Sequence, residues 1–416
     1  MNSFEKLSDE IVLHIFENID WKHNVQLRGT CRRFRRLSDD PILWNKHYSR
    51  TAQLIMTPRS SHSDYHKLYR ISRNWSTGRA TSSSINTNSD KILTQLHENY
   101  VFSTLRNSGT LFVHSFSPVD AEQELSDKSI LAEFKLKPIA DISIDSNLSY
   151  HSDGVIRLES HLYQKKPRVD AGFEKVLYTS LNSPYYITCT DRFRLTIYHV
   201  AIQPTFIQSY TSSIAYHPAS IHIDQDSWNV VVAYITPSFP SLYSVAVQTF
   251  PLRSGDCLYT NANKDIKSAR RTSRILDISI SRNSRWIALA REDNVVEVFE
   301  LTECLKEHSK LPTTPKYLSL RLHMTLNGHN CAASSVAIAN DRCVTGDVRG
   351  DIKIWNLKPN TNVEDISKPF DLAESRGITL REHPPMPSMG VKQIAFDNTS
   401  VLSVTRDFMR VYKFDV

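Results

Sequence analysis

Seven times between residues 101 and 414 the sequence runs through an apolar strand pattern, a short polar turn and a second strand. The copies are VFSTLRNSGTLFVHSF (101–116), LSYHSDGVIRLES (148–160), YITCTDRFRLTIYHV (186–200), VVVAYITPSFPSLYSVAV (230–247), WIALAREDNVVEVFEL (286–301), LNGHNCAASSVAIANDRCVTGDVRGDIKIWNL (326–357) and VLSVTRDFMRVYKF (401–414). Their second strands begin near 111, 155, 195, 243, 295, 352 and 410, at spacings of 40 to 58 residues. A single hairpin cannot hide its own apolar face, so copies at this period have to stack on one another.

The unit at 326–357 resembles a WD repeat, with Gly328, His329, Thr345, Gly350 and Trp355 in register and Asn356 where the family has Asp. Seven units of four strands imply a degenerate seven-bladed WD-repeat-like β-propeller, in which radial closure protects strand edges. The chain ends inside the third strand of the last unit, so residues about 79–88 are expected to supply its outer strand and clasp the ring. In well-kept members of that family a turn Asp, the Gly-His imidazole, a Ser/Thr and the Trp form a hydrogen-bonded set. Here His329, Thr345 and Trp355 share one unit whose turn Asp position is Arg349, while Asp153, Asp293 and Asp407 keep the Asp in units without Gly-His. On this reading no blade holds the whole set, and blade packing rests on apolar layers.

The first fifty residues have a different period. In LSDEIVLHIFENID, Leu7, Ile11, Val12, Ile15, Phe16 and Ile19 make one broad helical face, with Ser8 as the expected N-cap and Asp9 and Glu10 in the first turn. A second helix over NVQLRGTCRRFRRLS, capped by Asn24, groups Leu27, Cys31, Phe34 and Leu37; Gly29 and Thr30 are expected to kink or split it. DDPILWNKHY opens a third, with an Asp cap and Pro41 in the first turn. So small a bundle cannot cover Leu7, Ile11, Phe16 and Trp44 together, which predicts a partner.

These residues resemble an F-box motif: Leu7, Glu10, Ile11, Ile15, Phe16, Leu27, Cys31, Arg32, Phe34, Leu37, Leu43 and Trp44 match in order and spacing, and Ser8 replaces the usual Pro. The resemblance implies that Leu7, Ile11, Ile15, Phe16, Leu27, Cys31, Phe34, Leu37, Leu43 and Trp44 dock on and pack beneath a Skp-type adaptor. The arginines of CRRFRR are then the solvent-facing remainder. Residues 1–79 hold 14 Lys and Arg against 8 Asp and Glu, and the remainder balances at 36 against 36. A nucleic-acid reading of this basic head fares worse, because CRRFRR offers charge without the Asn, Gln or Ser that read base edges.

The domain plan is an F-box domain at 1–50, a helical linker at 51–78 and the propeller at 79–416. In the linker, DYHKLYRISRNW has a helical pattern, and NWSTG (74–78) is similar to the Asn-Trp-x-x-Gly junction of F-box proteins that carry WD repeats. A helical spacer would fix head to body where a coil would let it wander.

Catalytic patterns are missing: there is no G-x-S-x-G, H-E-x-x-H, Walker or Rossmann signature, and HSDG (151–154) reads as a hairpin turn. The six cysteines (31, 189, 257, 304, 331, 343) show no zinc spacing and read as reduced thiols in a cytoplasmic or nuclear protein; no metal or cofactor is expected. The N-terminus has no apolar h-region, and the uncharged run 227–252 is broken by Pro237 and Pro240, so neither a signal peptide nor a membrane span is expected.

Together the resemblances imply a non-catalytic substrate receptor of a Skp–cullin–F-box ubiquitin ligase, joined through the adaptor to cullin and a RING subunit. A scaffold that uses the adaptor without a cullin is the alternative. In some such proteins a turn Arg reads a phosphorylated segment; Arg406 matches that position, and Arg349, Arg291, Arg192 and Arg106 lie within a residue or two of it.

Overall fold

The computed structural model describes residues 7–51, 65–86, 92–97, 100–105, 110–115, 130–135, 149–150, 156–157, 176–182, 184–199, 205–211, 218–224, 227–238, 242–252, 258–259, 273–305, 316–339, 341–357, 378–380 and 390–415. Helices come first: α1 (Asp9–Glu17), α2 (Trp21–Leu27), α3 (Arg32–Ser38), α4 (Pro41–Thr51) and α5 (Tyr65–Thr77). The expected second helix is split at Gly29–Thr30, where the Thr30 hydroxyl turns back to the Leu27 carbonyl at 2.7 Å. The caps differ from expectation. Ser8 precedes α1 without a side-chain cap bond, and Asp20 rather than Asn24 caps α2 by accepting from the Lys22 amide. Asn24 is buried instead, its amide donating to the Phe16 carbonyl and to His47 Nε2, both at 2.9 Å. α4 starts on Pro41 as expected, with the Asp40 carboxylate accepting from the Ile42 amide at 2.8 Å.

The strands follow. β1 (Thr81–Asn86) precedes blade 1, which is β2 (Ile92–His97), β3 (Tyr100–Leu105), β4 (Thr110–Ser115) and β5 (Ile130–Lys135). A pair, β6 (Ser149–Tyr150) and β7 (Ile156–Arg157), comes next. Blade 2 is β8 (Val176–Asn182), β9 (Tyr185–Thr190), β10 (Arg194–His199) and β11 (Thr205–Thr211). Blade 3 is β12 (Pro218–Ile223), β13 (Asn229–Ser238), β14 (Leu242–Pro251) and β15 (Leu258–Tyr259). Blade 4 is β16 (Ile275–Ile280), β17 (Trp286–Arg291), β18 (Val295–Leu305) and β19 (Lys316–Asn327). Blade 5 is β20 (Ala333–Ala339), β21 (Arg342–Asp347), β22 (Ile352–Asn356) and β23 (Ile378–Leu380). β24 (Gln393–Phe396), β25 (Ser400–Val404) and β26 (Phe408–Lys413) complete the order.

Among the described residues these form six four-stranded antiparallel sheets, not seven. The unit at 148–160 provides only a two-stranded pairing, Ser149 with Arg157 and Tyr150 with Ile156. A hairpin pattern counts strand pairs, whereas a blade needs two further strands, and nothing in a hairpin's own sequence reports them. Blade 6 has the order β1-β26-β25-β24: β1 pairs antiparallel with β26, Thr81 opposite Lys413 through Asn86 opposite Phe408. The ring is thus shut by a strand from before the first blade.

The first strand of each blade lies innermost, where β8, β12, β16, β20, β24 and β2 are neighbours in turn. Apolar layers fill the gaps between blades, for example Val231, Val245, Ile278 and Leu289 between blades 3 and 4, and Ala288, Val298, Val336 and Trp355 between 4 and 5. Polar ties cross the inner ring. Asp277 on β16 accepts from the Val336 amide at 2.9 Å and the Ser335 hydroxyl at 3.1 Å, and Ser335 accepts from the Ile394 amide at 3.0 Å. Thr94 on β2 then exchanges two bonds with Gln393, of 2.9 and 3.0 Å.

Candidate functional site

The head is built around Val12, Phe16, Leu37 and Leu43, with Phe34 edge-on to Phe16 at 5.4 Å. Phe16 is 1% exposed, and Leu37, Leu43 and Trp44 are equally hidden. Those four residues, expected to dock, are core instead and support the exposed positions around them. Leu7, Ile15, Leu27 and Phe34 are half-buried, Cys31 is exposed, and Ile11 is 50% exposed. Val25 and Ile42 are also exposed, and sequence reasoning misses both because they fall between the motif positions.

The arginines are not all solvent-facing. Arg33 bonds the Asp9 carboxylate at 2.7–2.8 Å and the Leu7 carbonyl, and Arg36 pairs with the same Asp9, so α3 is fastened to the start of α1. The Arg33 hydrogen bond, helped by both guanidinium charges, holds the Asp9 carboxyl below its usual range. Arg28 pairs with Asp39 at 3.1 Å. Arg32 and Arg35 are exposed, as the motif implies.

α5 joins head to ring. Its first turns enter an aromatic cluster: Trp44 lies 4.4 Å from His66 and 5.4 Å from Tyr69, and Arg73 stacks 3.6 Å over Trp21. Its last turn binds the closing blade. The Asn74 amide donates to the Phe414 carbonyl, Trp75 Nε1 to the Asn398 carbonyl, both at 2.9 Å, and Arg70 to the Asp415 carbonyl at 3.1 Å. Gly78 ends the helix at φ +69°, with the Arg79 amide reaching back to the Asn74 carbonyl at 2.9 Å; a Cβ there would sit 2.6 Å from Ile378 Cγ2. The NWSTG junction is therefore accounted for physically, since Asn74 and Trp75 anchor the helix and Gly78 stops it so that β1 begins.

Strands in each blade alternate in direction, so turns between first and second strands share one face of the ring and turns between second and third strands the other. Asn398 lies in a turn of the first kind, which puts α5 on that face. Arg192, Arg349 and Arg406, all exposed, lie in turns of the second kind, on blades 2, 5 and 6. Arg291 does not join them. It is fully buried, bonding Glu297 at 2.6 Å and the Ser273 carbonyl at 3.0 Å, and is a structural cation of blade 4. Arg106 and Asp153 lie outside the described residues. Lys392, outside the turn motif, adds a cation: its amide bonds the Val404 carbonyl at 2.7 Å, and the neighbouring Val391 amide bonds the Asp347 carbonyl at 3.0 Å. Arg349, Lys392 and Arg406 thus share the seam of blades 5 and 6.

Blade 5 does hold a complete hydrogen-bonded set, contrary to expectation. Trp355 Nε1 donates to the Thr345 hydroxyl at 2.8 Å, Thr345 meets His329 Nε2 at 2.6 Å, and His329 Nδ1 meets Asp347 at 3.3 Å. The acid is Asp347, at the end of β21, rather than a residue at position 349. Burial raises its pKa, but bonds from His329 and the Arg349 and Asp351 amides outweigh that and leave it below the usual carboxylate range. The order Thr–His–Asp mimics a nucleophilic triad. Thr345 and the His329 ring are nevertheless fully buried and the hydroxyl already serves Trp355, so the set can only be structural. Asp293 is exposed in its turn, and Asp407 is half-buried with no side-chain hydrogen bond among the described residues. Nor do those residues contain a group of three His, Cys, Asp or Glu able to hold a metal, or a helix long and apolar enough to cross a membrane.

A small helical head joined through α5 to a β-propeller defines the class of protein. Residues 5–50 match the family model described as F-box-like, so the chain carries an F-box-like domain followed by a propeller. No curated protein matches the chain. Among solved structures it is similar to the Cps50 (Swd1) beta-propeller domain of Myceliophteria thermophila, at 10% identity and a TM-score of 0.48, covering 80% of this chain and 98% of that one.

Proposed function

We propose that this protein is the substrate receptor of a Skp–cullin–F-box ubiquitin ligase, acting in the cytoplasm or nucleus. The observation that carries this reading is the F-box-like head, whose half-buried Leu7, Ile15, Leu27 and Phe34 and exposed Ile11 and Cys31 surround a complete small core. A Skp-type adaptor covering them brings cullin and a RING subunit. The chain does no chemistry; it holds a captured protein near a charged ubiquitin carrier and supplies proximity.

The propeller captures the substrate on the face away from α5. Arg349, Lys392 and Arg406 suit a phosphorylated segment, which such cations hold through charge-assisted bonds. Arg192, on a separate blade, sits apart from that seam.

Affinity capture from cells with the full chain and with a chain lacking residues 1–50 tests the assignment. Adaptor, cullin and RING subunit recovered only with the full chain are the expected result. Adaptor without cullin means an assembly or trafficking scaffold, and salt-sensitive nucleic acid without adaptor overturns the docking reading altogether.

A further inference from the structure

Arg342 opens β21 at the seam where α5 meets blades 5 and 6. The residue is 5% exposed, and burial holds its guanidinium well below the usual arginine range. Among the described residues it has no salt bridge and no side-chain hydrogen bond, and its Nη1 is sealed from solvent without a partner. Among those residues its one compensation is Trp75, whose ring centroid lies 3.7 Å from the guanidinium carbon. A cation over an aromatic face regains only part of the hydration it gave up, and the remainder opposes burial. Pulling the other way are the Trp75–Phe414 stack and the bonds of Asn74, Trp75 and Arg70 to the carbonyls of Phe414, Asn398 and Asp415.

We propose that α5 is a latch poised to open: Trp75 is the lid on a buried, unpaired Arg342, and lifting the helix returns that guanidinium to water and frees the head while the β1–β26 pairing keeps the ring shut. The opposing contacts run from Arg70 to Gly78 and include Ile71 and Trp75 in the apolar core of blades 5 and 6, but none is a rung of the strand ladders, so the helix can lift with the strand pairing intact. The distance between whatever the head holds and whatever the propeller holds then becomes adjustable.

Amide hydrogen exchange on the full chain tests this. In the wild type, amides of α5 should exchange faster than those of β25 and β26. Arg342→Met removes the charge but keeps a long side chain against Trp75, and should slow α5 exchange about tenfold, equivalent to about 1.4 kcal/mol of opening free energy. Phe414→Leu removes the stacked ring and should speed α5 exchange about tenfold while leaving β25 and β26 unchanged. Exchange of α5 in step with β25 and β26 overturns the proposal, as does unchanged or faster α5 exchange in Arg342→Met. If Arg342→Met does not fold, Phe414→Leu decides alone: a rise confined to α5 sustains the latch, and a shared rise or none rejects it.

Discussion

The indole of Trp75 and the ring of Phe414 lie nearly parallel, their centroids 3.8 Å apart at an interplanar angle of 11°. One belongs to the helix that carries the head, and the other directly follows the strand on which β1 closes the ring. Ring closure and head placement therefore use the same few residues. While α5 is seated, a short helix anchored at both ends keeps the head from spreading over many positions and diluting any proximity effect.

Replacing Ile11 by Asp should abolish adaptor binding while leaving the head folded, because the side chain is half exposed and no core neighbour loses volume. Phe16→Asp should also abolish binding, but by unfolding the head, since a carboxylate would enter its fully buried core. Helical circular dichroism beside adaptor pull-down separates the two effects. A folded Ile11→Asp variant with undiminished adaptor affinity would place the docking face elsewhere.

Arg33→Gln should loosen α1 from α3, whereas Arg32→Gln and Arg35→Gln should be silent in both stability and adaptor binding. The Asp9 pKa is lowered in the folded head by Arg33 and Arg36. Its contribution is therefore present above the unfolded value of 3.8 and lost as pH falls through the lower folded value. Acid titration of head helicity should show that loss in wild type and a smaller one in Arg33→Gln, where Arg36 still pairs with Asp9.

Burial pushes the Asp277 carboxyl up to about 6 from 3.8. The folded chain then binds this proton more tightly than the unfolded one, so the Asp277 contribution to stability falls as pH rises from about 4 to 6 and is flat above. The size is on the order of 3 kcal/mol. Urea midpoints across that range, compared between wild type and Asp277→Asn, should differ in slope in that direction. Parallel curves would mean that the carboxylate is ionised throughout.

Thr345→Val keeps the shape of the side chain but strips the hydroxyl from between Trp355 and His329. Leaving the buried indole N–H unpaired costs roughly 1–3 kcal/mol, and the His329 bond is lost as well. Denaturant unfolding should show a loss of about 2–4 kcal/mol. Binding of partners to the head should not change.

Features whose cause lies within a few residues are legible in the chain. Apolar spacing marks α1, Pro41 starts α4, and Gly29–Thr30 splits the second helical run. Features set by distant residues are not legible in this way. Arg291 and Arg406 occupy similar places in similar turns, yet one pairs with Glu297 inside blade 4 and the other is exposed. Position 349 is where the repeat pattern puts the blade's acid, but the His329 ring reaches Asp347.

By itself, then, the sequence determined that a helical head of F-box type precedes a β-rich body of stacked units, because helix and strand periods are written in neighbouring side chains. Only the tertiary structure decided that six four-stranded blades form among the described residues. It also decided that Phe16 faces inward while Ile11 faces out, and that an unpaired Arg342 lies under Trp75. Burial and pairing are properties of what packs against a residue, and for these residues the partner comes from another helix, another blade or the far end of the chain.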